Sequence, residues 1–250
     1  MKPFFRHIAV LALLLGLPAC GPTLAERKAD ADIHYRLGSV HLGDGNYTEA
    51  LKELTDAVAL SPKNPAFHNA LGLAYFYKDL SDKAVFHLKK AVELKPDFSE
   101  AHVNLAAVYI KQKKWDLVEK EASTALDNVF YRTPETAHFN IGVARYNTGR
   151  YDEALTAFKK ALEANQAYAL AYYNMGLVYE KLHKNREAAA VYEKAVRIAP
   201  GYIDAYLKLG MTRVKLNDRE GAATAFKRVV DIAPGTEAAR SAREYLELIK

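Results

Sequence analysis

The sequence predicts an all-α fold: six helical hairpins stacked into a solenoid, with one further helix closing the end. Three observations carry that expectation. Doublets of a large apolar residue and a small one recur at Leu37-Gly38, Leu71-Gly72, Leu105-Ala106, Ile141-Gly142, Met175-Gly176 and Leu209-Gly210, at steps of 34, 34, 36, 34 and 34 residues. Within each copy, apolar residues return at helical spacing in two short runs across a polar turn. Leu71 and Tyr75, then Ala84, Leu88 and Ala91, flank the turn Lys78–Ser81 in this way. Pro62, Pro96, Pro200 and Pro234 end the second run and pass the chain to the next copy.

A hairpin of this size cannot bury its own apolar face, so each copy must stack on its neighbour. Gly38, Gly72, Gly142, Gly176 and Gly210 let the second helix come close, at roughly 1 kcal/mol each in helix propensity. Ala50, Ala84, Ala154, Ala188 and Ala222 leave room for the helix crossing, and Leu54, Leu88, Phe158, Tyr192 and Phe226 are expected to fill the space between units. This helix–turn–helix period resembles the tetratricopeptide repeat family over residues 31–236. The resemblance implies a right-handed superhelical α-solenoid of six repeats: 31–64, 65–98, 99–132, 135–168, 169–202 and 203–236. Repeat three departs from the rule, with Ala106 for glycine, Val118 for alanine, and no proline in its ending Asn128–Arg132; Thr133 and Pro134 are then extra. Residues 237–250, with Ala238, Ala242, Leu246 and Ile249 on one face, are expected to cap the last repeat.

Residues 1–19 read as a signal peptide, with Lys2 and Arg6 ahead of the apolar run Ile8–Leu17. That run is too short to cross a hydrocarbon layer of about 30 Å as a helix. Leu17-Pro18-Ala19-Cys20 resembles the bacterial lipobox, although Pro18 stands where the family usually has a small residue. The resemblance implies that Cys20 is the lipid attachment point, diacylated on sulphur. Gly21, in place of the aspartate of inner-membrane lipoproteins, then implies the outer membrane, on its periplasmic face. Acyl chains contribute roughly 0.8 kcal/mol per buried CH₂, enough to hold a protein without a spanning helix. Residues 20–30 are expected to be a lipidated tether, with Gly21–Lys28 reaching at most ~30 Å if extended. Cys20 is the single cysteine, so no intramolecular disulfide forms.

The formal charge is +5, and 5 − 2 = +3 without Lys2 and Arg6, too weak a balance to argue for nucleic acid. Lys89-Lys90 and Lys159-Lys160 read as solvated outer faces. His34, His68, His102 and His138 occupy one position of successive repeats. Neighbouring units lie about 10 Å apart, whereas Zn–N bonds are about 2 Å, so these rings cannot share an ion. Tyr172 and Tyr206 hold the same slot later on, and packing of a flat ring is the expectation. There is no phosphate-cradling glycine loop, nucleophile elbow or paired-histidine zinc motif. The sequence thus predicts no enzyme, no metal, no small-molecule substrate, and no cofactor beyond the acyl chains on Cys20.

More informative is a second apolar row on the first helix of each repeat. It runs through Leu73 and Phe76 (with Asn69), Val103-Ala107-Ile110, Phe139-Val143-Tyr146, Tyr173-Leu177 and Leu207-Met211-Val214. In tetratricopeptide proteins the matching positions line a concave groove. An open row of large apolar groups suggests a partner-binding surface. The other reading is that neighbouring repeats or the N-terminal segment cover much of it. Asn104, Asn140 and Asn174 recur in the row, without the lysines of the domains that clamp a C-terminal carboxylate.

At the irregular junction the chain reads Tyr131-Arg-Thr-Pro134-Glu-Thr-Ala-His-Phe-Asn140-Ile-Gly142. This resembles a stretch of the lipoproteins of type IV pilus biogenesis, the PilF/PilW/Tgl or pilotin family, which share six repeats, a lipobox and an insertion at this junction. The resemblance implies a pilotin that binds type IV pilus secretin subunits through its groove and promotes their insertion and multimerisation in the outer membrane. Two other readings stand beside it: a lipoprotein scaffold recruiting peptidoglycan hydrolases or other envelope assembly factors, and an accessory subunit of an envelope enzyme.

Overall fold

The computed structural model describes residues 23–249, which form thirteen helices and, among the described residues, no strand. The expected signal peptide, Cys20 and Lys250 lie outside the described residues. The helices pair as α1 (Leu24–Gly43) with α2 (Tyr47–Leu60), α3 (Pro65–Tyr77) with α4 (Ser81–Leu94), and α5 (Ser99–Lys111) with α6 (Trp115–Leu126). Then come α7 (Pro134–Asn147) with α8 (Tyr151–Ala164), α9 (Ala169–Lys181) with α10 (Asn185–Ile198), and α11 (Ile203–Lys215) with α12 (Arg219–Ile232). A single helix, α13 (Glu237–Leu248), follows. The fold is the predicted all-α stack of six hairpins and a cap. No helix among the described residues is long and apolar enough to cross a membrane.

One boundary differs. Helix α1 begins at Leu24 and so runs through residues 24–30, which the sequence assigned to a tether. A capping box starts it there: the Thr23 hydroxyl accepts from the Glu26 N–H at 3.2 Å, and the Glu26 carboxylate accepts from the Thr23 N–H at 2.7 Å. The turns inside the hairpins share one left-handed residue, at Gly45, Asp79, Lys113, Gly149, His183 and Asn217. Only two of the six are glycine, so the turn geometry comes from the hairpin rather than from residue preference.

Close contact inside each hairpin depends on a glycine facing a large side chain. A Cβ at Gly38 or Gly72 would lie 2.6 Å from Cγ of Leu54 or Leu88, and one at Gly142 or Gly210 would lie 2.5 Å from the ring of Phe158 or Phe226. The large residues expected only between units therefore sit over the glycine of their own hairpin and fill both spaces. Repeat three shows the converse. Ala106 takes the glycine position, and the residue sixteen further on is Ala122, not a large one; both are fully buried. Val118, also fully buried, returns some of the missing volume one turn earlier on α6. The two sequence irregularities are thus one exchange of volume across the hairpin.

Each second helix packs on the first helix of the next hairpin. First helices also touch each other, at α1–α3, α3–α5, α5–α7 and α7–α9, whereas successive second helices do not pack together. The odd-numbered helices therefore form the inner side of the curved stack. At the far end α13 buries Ala239 and Ala242 and stacks the Tyr245 ring on the core, 4.9 Å from that of Phe226. At the near end no other described helix covers α1 on its outer side. Ile33, Leu37 and Val40 are 46%, 47% and 60% exposed, while their counterparts Phe67, Leu71 and Ala74 are covered by the preceding hairpin.

Candidate functional site

The inner face is built by odd-numbered helices, whose residues three or four apart project on one side. This spacing aligns Phe139, Val143 and Tyr146 along α7, and Leu207, Met211 and Val214 along α11. The row is not the open apolar strip that the sequence suggested. Val103 is buried, 5% exposed, and the other twelve predicted positions are half-buried. Phe76 and Ile110 pack on the core around Leu105, Phe139, Val143 and Tyr146 on that around Phe158, and Tyr173 and Leu177 on that around Tyr192. Part of the cover comes from aromatic residues just before the next first helix. Tyr168 lies 5.2 Å from the Phe139 ring and Tyr202 lies 4.9 Å from the Tyr173 ring. Burial, then the Glu135 carboxylate, push the Tyr168 hydroxyl up to about 12. The face that remains is a shallow surface of ring edges and methyl groups.

Two depressions interrupt this face. The first, about 330 Å³, lies between α3, α5 and the start of α7. Leu73 and Val103 form its apolar part, Asn69 and Asn104 its amides, and Tyr131, Thr133 and Thr136 one side. The Asn104 amide donates to the Asn69 side-chain oxygen at 2.9 Å. Here the irregular junction has a structural role: residues 127–133 carry Tyr131 from the end of α6 to the side of this depression, and the preceding Val129 and Phe130 are 86% and 87% exposed. Burial, then a hydrogen bond with Thr133 acting oppositely, then Glu100 and Glu135, set the Tyr131 hydroxyl above its usual range.

The second depression, about 540 Å³, is lined by Tyr146, Leu177, Glu180, Lys181, His183 and Lys208. The Lys208 ammonium donates to Glu180 at 3.0 Å, Thr212 donates to the same carboxylate at 3.2 Å, and Lys215 lies 3.8 Å away. Burial raises the Tyr146 hydroxyl, with Lys181 working in the other direction.

Of the junction residues, Tyr131 reaches the face, and Pro134 is the first residue of α7, where its missing N–H costs nothing. Asn140 is buried and donates to the Val103 carbonyl at 3.4 Å, tying α7 to α5, while Gly142 lies under Phe158. Asn174 donates instead to the Leu170 carbonyl within its own helix. The recurring asparagines therefore do not form one ladder.

The histidine column does more than fill space. His102 bonds Glu121 through Nδ1 at 2.7 Å and the Pro96 carbonyl through Nε2 at 3.0 Å. Burial works against its charged form, but Glu121 and the Pro96 carbonyl outweigh burial and raise it. His68 reaches the Pro62 carbonyl at 3.0 Å and places Nδ1 at 3.0 Å from Nδ1 of His87. These rings fasten the inter-repeat turn to the two helices that follow it. No group of three or more metal-ligating side chains is found among the described residues.

Glu100, Glu135, Lys181, Tyr168 and Tyr202 were missed by the sequence reading. A signal for the tyrosines was present: Phe98, Tyr168 and Tyr202 each stand immediately before a first helix.

Comparison with known proteins gives the following. The family described as tetratricopeptide repeat matches residues 65–98, 132–200 and 181–244, and that described as TPR repeat matches residues 44–79. The chain is 32% identical over 87 residues to the TPR repeat-containing thioredoxin TTL4 of Arabidopsis thaliana, covering 35% of this chain and 13% of that protein. It spans from 13% to 31% of the length of the curated relatives it matches. Among solved structures, PilW, described as a widely conserved type IV pilus biogenesis factor, superposes with a TM-score of 0.79 at 20% identity, over 85% of this chain and 98% of its own. PilF of Pseudomonas aeruginosa superposes with a TM-score of 0.75 at 18% identity, over 88% and 99%. At such identities these likenesses concern the fold.

Proposed function

The chain is a tetratricopeptide repeat protein, and from that premise we propose that it is a non-enzymatic lipoprotein that holds secretin subunits of the type IV pilus along its inner face. By this reading acyl chains on Cys20 fix it to the periplasmic face of the outer membrane, and the bound subunits insert and multimerise there. The observation that carries the proposal is the half-buried row from Leu73 to Val214, broken by two depressions, on the side of the stack where the first helices meet. Such a surface offers apolar contact to a polypeptide while its remaining area keeps the free chain soluble. The near-complete superposition on PilW, described as a type IV pilus biogenesis factor, and on PilF supports the choice of machinery, and the junction sequence Tyr131–Gly142 points the same way.

The test is recovery of secretin with the acylated protein from solubilised outer membranes. Leu73→Ser and Tyr146→Ser are expected to lose recovery while keeping helical content, because Leu73 lines a depression and Tyr146 is half-buried. Cys20→Ser is expected to retain binding in solution and lose membrane association. Secretin recovered equally by both groove variants removes the inner face as its seat.

A further inference from the structure

The two depressions have opposite electrical character, and this constrains what can lie across them. Glu100 lines the first, and Glu135 stands in the first turn of α7 between its lining residues Thr133 and Thr136; both carboxylates add to the upward shift of the Tyr131 hydroxyl. Neither carboxylate has an ion pair among the described residues, and no lysine or arginine lines that depression. In the second, Glu180 is already paired with Lys208 and Lys215. Lys181 lines this depression with Tyr146 and has no carboxylate paired to it among the described residues, so the depression carries surplus positive charge. Between the two runs α7, with Phe139 and Val143 on the row.

We propose that the inner face selects a polypeptide segment bound in extended form with a fixed polarity, a lysine or arginine in the first depression and an aspartate or glutamate in the second, joined by apolar residues over Phe139 and Val143. The proposal rests on the inner face being a polypeptide-binding surface and adds the chemistry of the segment. A cationic side chain suits the first depression twice over: carboxylates flank it, and the Tyr131 ring offers a π face. The Asn69 and Asn104 amides, joined to each other by one bond, retain a donor and an acceptor for the main chain of such a segment.

The span sets the spacing. Thr136 and Tyr146 are ten residues apart on α7, ~15 Å along the axis, and the sideways step of about 10–20 Å to the neighbouring helices runs roughly at right angles to it, for a span of ~18–25 Å. An extended chain at ~3.3 Å per residue crosses that distance in roughly six to eight residues. A helix would need roughly twelve to seventeen residues for the same span, so the spacing of the two charged positions distinguishes the extended form from a helical one.

A random peptide library panned against the intact chain reads the preference directly. Enriched sequences are expected to carry a basic residue and an acidic one roughly six to eight positions apart, with apolar residues between. Their affinity, measured by fluorescence anisotropy, should fall roughly fivefold on Glu100→Gln/Glu135→Gln, about the worth of one well-placed ion pair near 1 kcal/mol. In that variant the basic position should lose its preference, and in Lys181→Gln the acidic position should lose its own. Charge reversal of a selected peptide, with composition kept, should abolish binding. Peptides that bind without such a charge pattern but are lost on Tyr146→Ser overturn the proposed polarity and leave the inner face standing as a docking surface. Peptides insensitive to Tyr146→Ser, or no enrichment at all, overturn both.

Discussion

Gly72→Ala would bring a methyl group to 2.6 Å from Leu88 Cγ, an overpacking expected to cost about 1–3 kcal/mol in urea unfolding. Repeat three already carries the compensated form, Ala106 opposite Ala122. Gly72→Ala/Leu88→Ala should therefore cost less than the two single changes together, by about 1 kcal/mol or more; strict additivity would contradict the paired role of these positions. The glycine period was legible in the sequence, but its partner sixteen residues away was not, because the pairing depends on how the helices cross. Likewise the histidine column was visible and its bonds were not, since they run to a carbonyl six residues earlier and a side chain nineteen later. Those bonds give opposite pH dependences. Burial, then His68, hold His87 at about 4, and burial lowers His68, helped by Lys90. Both rings bind protons more readily unfolded, with an ordinary value near 6.5, so their contribution is complete above that pH and is lost as pH falls toward 4. His102 is raised, so its contribution is complete below about 6.5 and fades as pH rises through its folded value. Unfolding midpoints measured across pH 4–7 should therefore flatten on the acid side in His87→Ala, and His102→Ala should leave that acid slope in place.

The first and third helices carry the same sequence marks and end in different surroundings. Leu71 is buried against the preceding hairpin, and Leu37, with no preceding hairpin among the described residues, is 47% exposed. Leu71→Ala is expected to cost about 2–5 kcal/mol and Leu37→Ala well under that; equal costs would mean that the near end of the stack is covered in solution. A second contrast sits in the hairpin turns. Lys113 holds a φ of 56°, and Lys113→Gly should stabilise the chain by about 1 kcal/mol by relieving the left-handed conformation. The start of α1 escaped the sequence reading because the apolar period begins only at Ala31; helix continues back to Leu24 through a local capping box, not through packing.

Over the whole molecule the number of hairpins, their order and the closing helix follow from the 34-residue period, since a repeat that cannot bury its own face has only its neighbours to bury it. How open the inner face is does not follow from that period. It depends on Tyr168 and Tyr202 folding over Phe139 and Tyr173, and on the junction that brings Tyr131 to the first depression. Those details turned an expected apolar strip into a half-covered face with two charged hollows. The proposal that this face holds a secretin segment is tested most directly by placing a photo-reactive phenylalanine analogue at single sites in cells assembling pili. Positions Leu73 and Leu177 face the two depressions, and Lys89 and Lys159 are exposed on the second helices of their hairpins. Crosslinks to secretin from Leu73 and Leu177, and none from Lys89 and Lys159, are the expected result; secretin captured from Lys89 and Lys159 instead would contradict it.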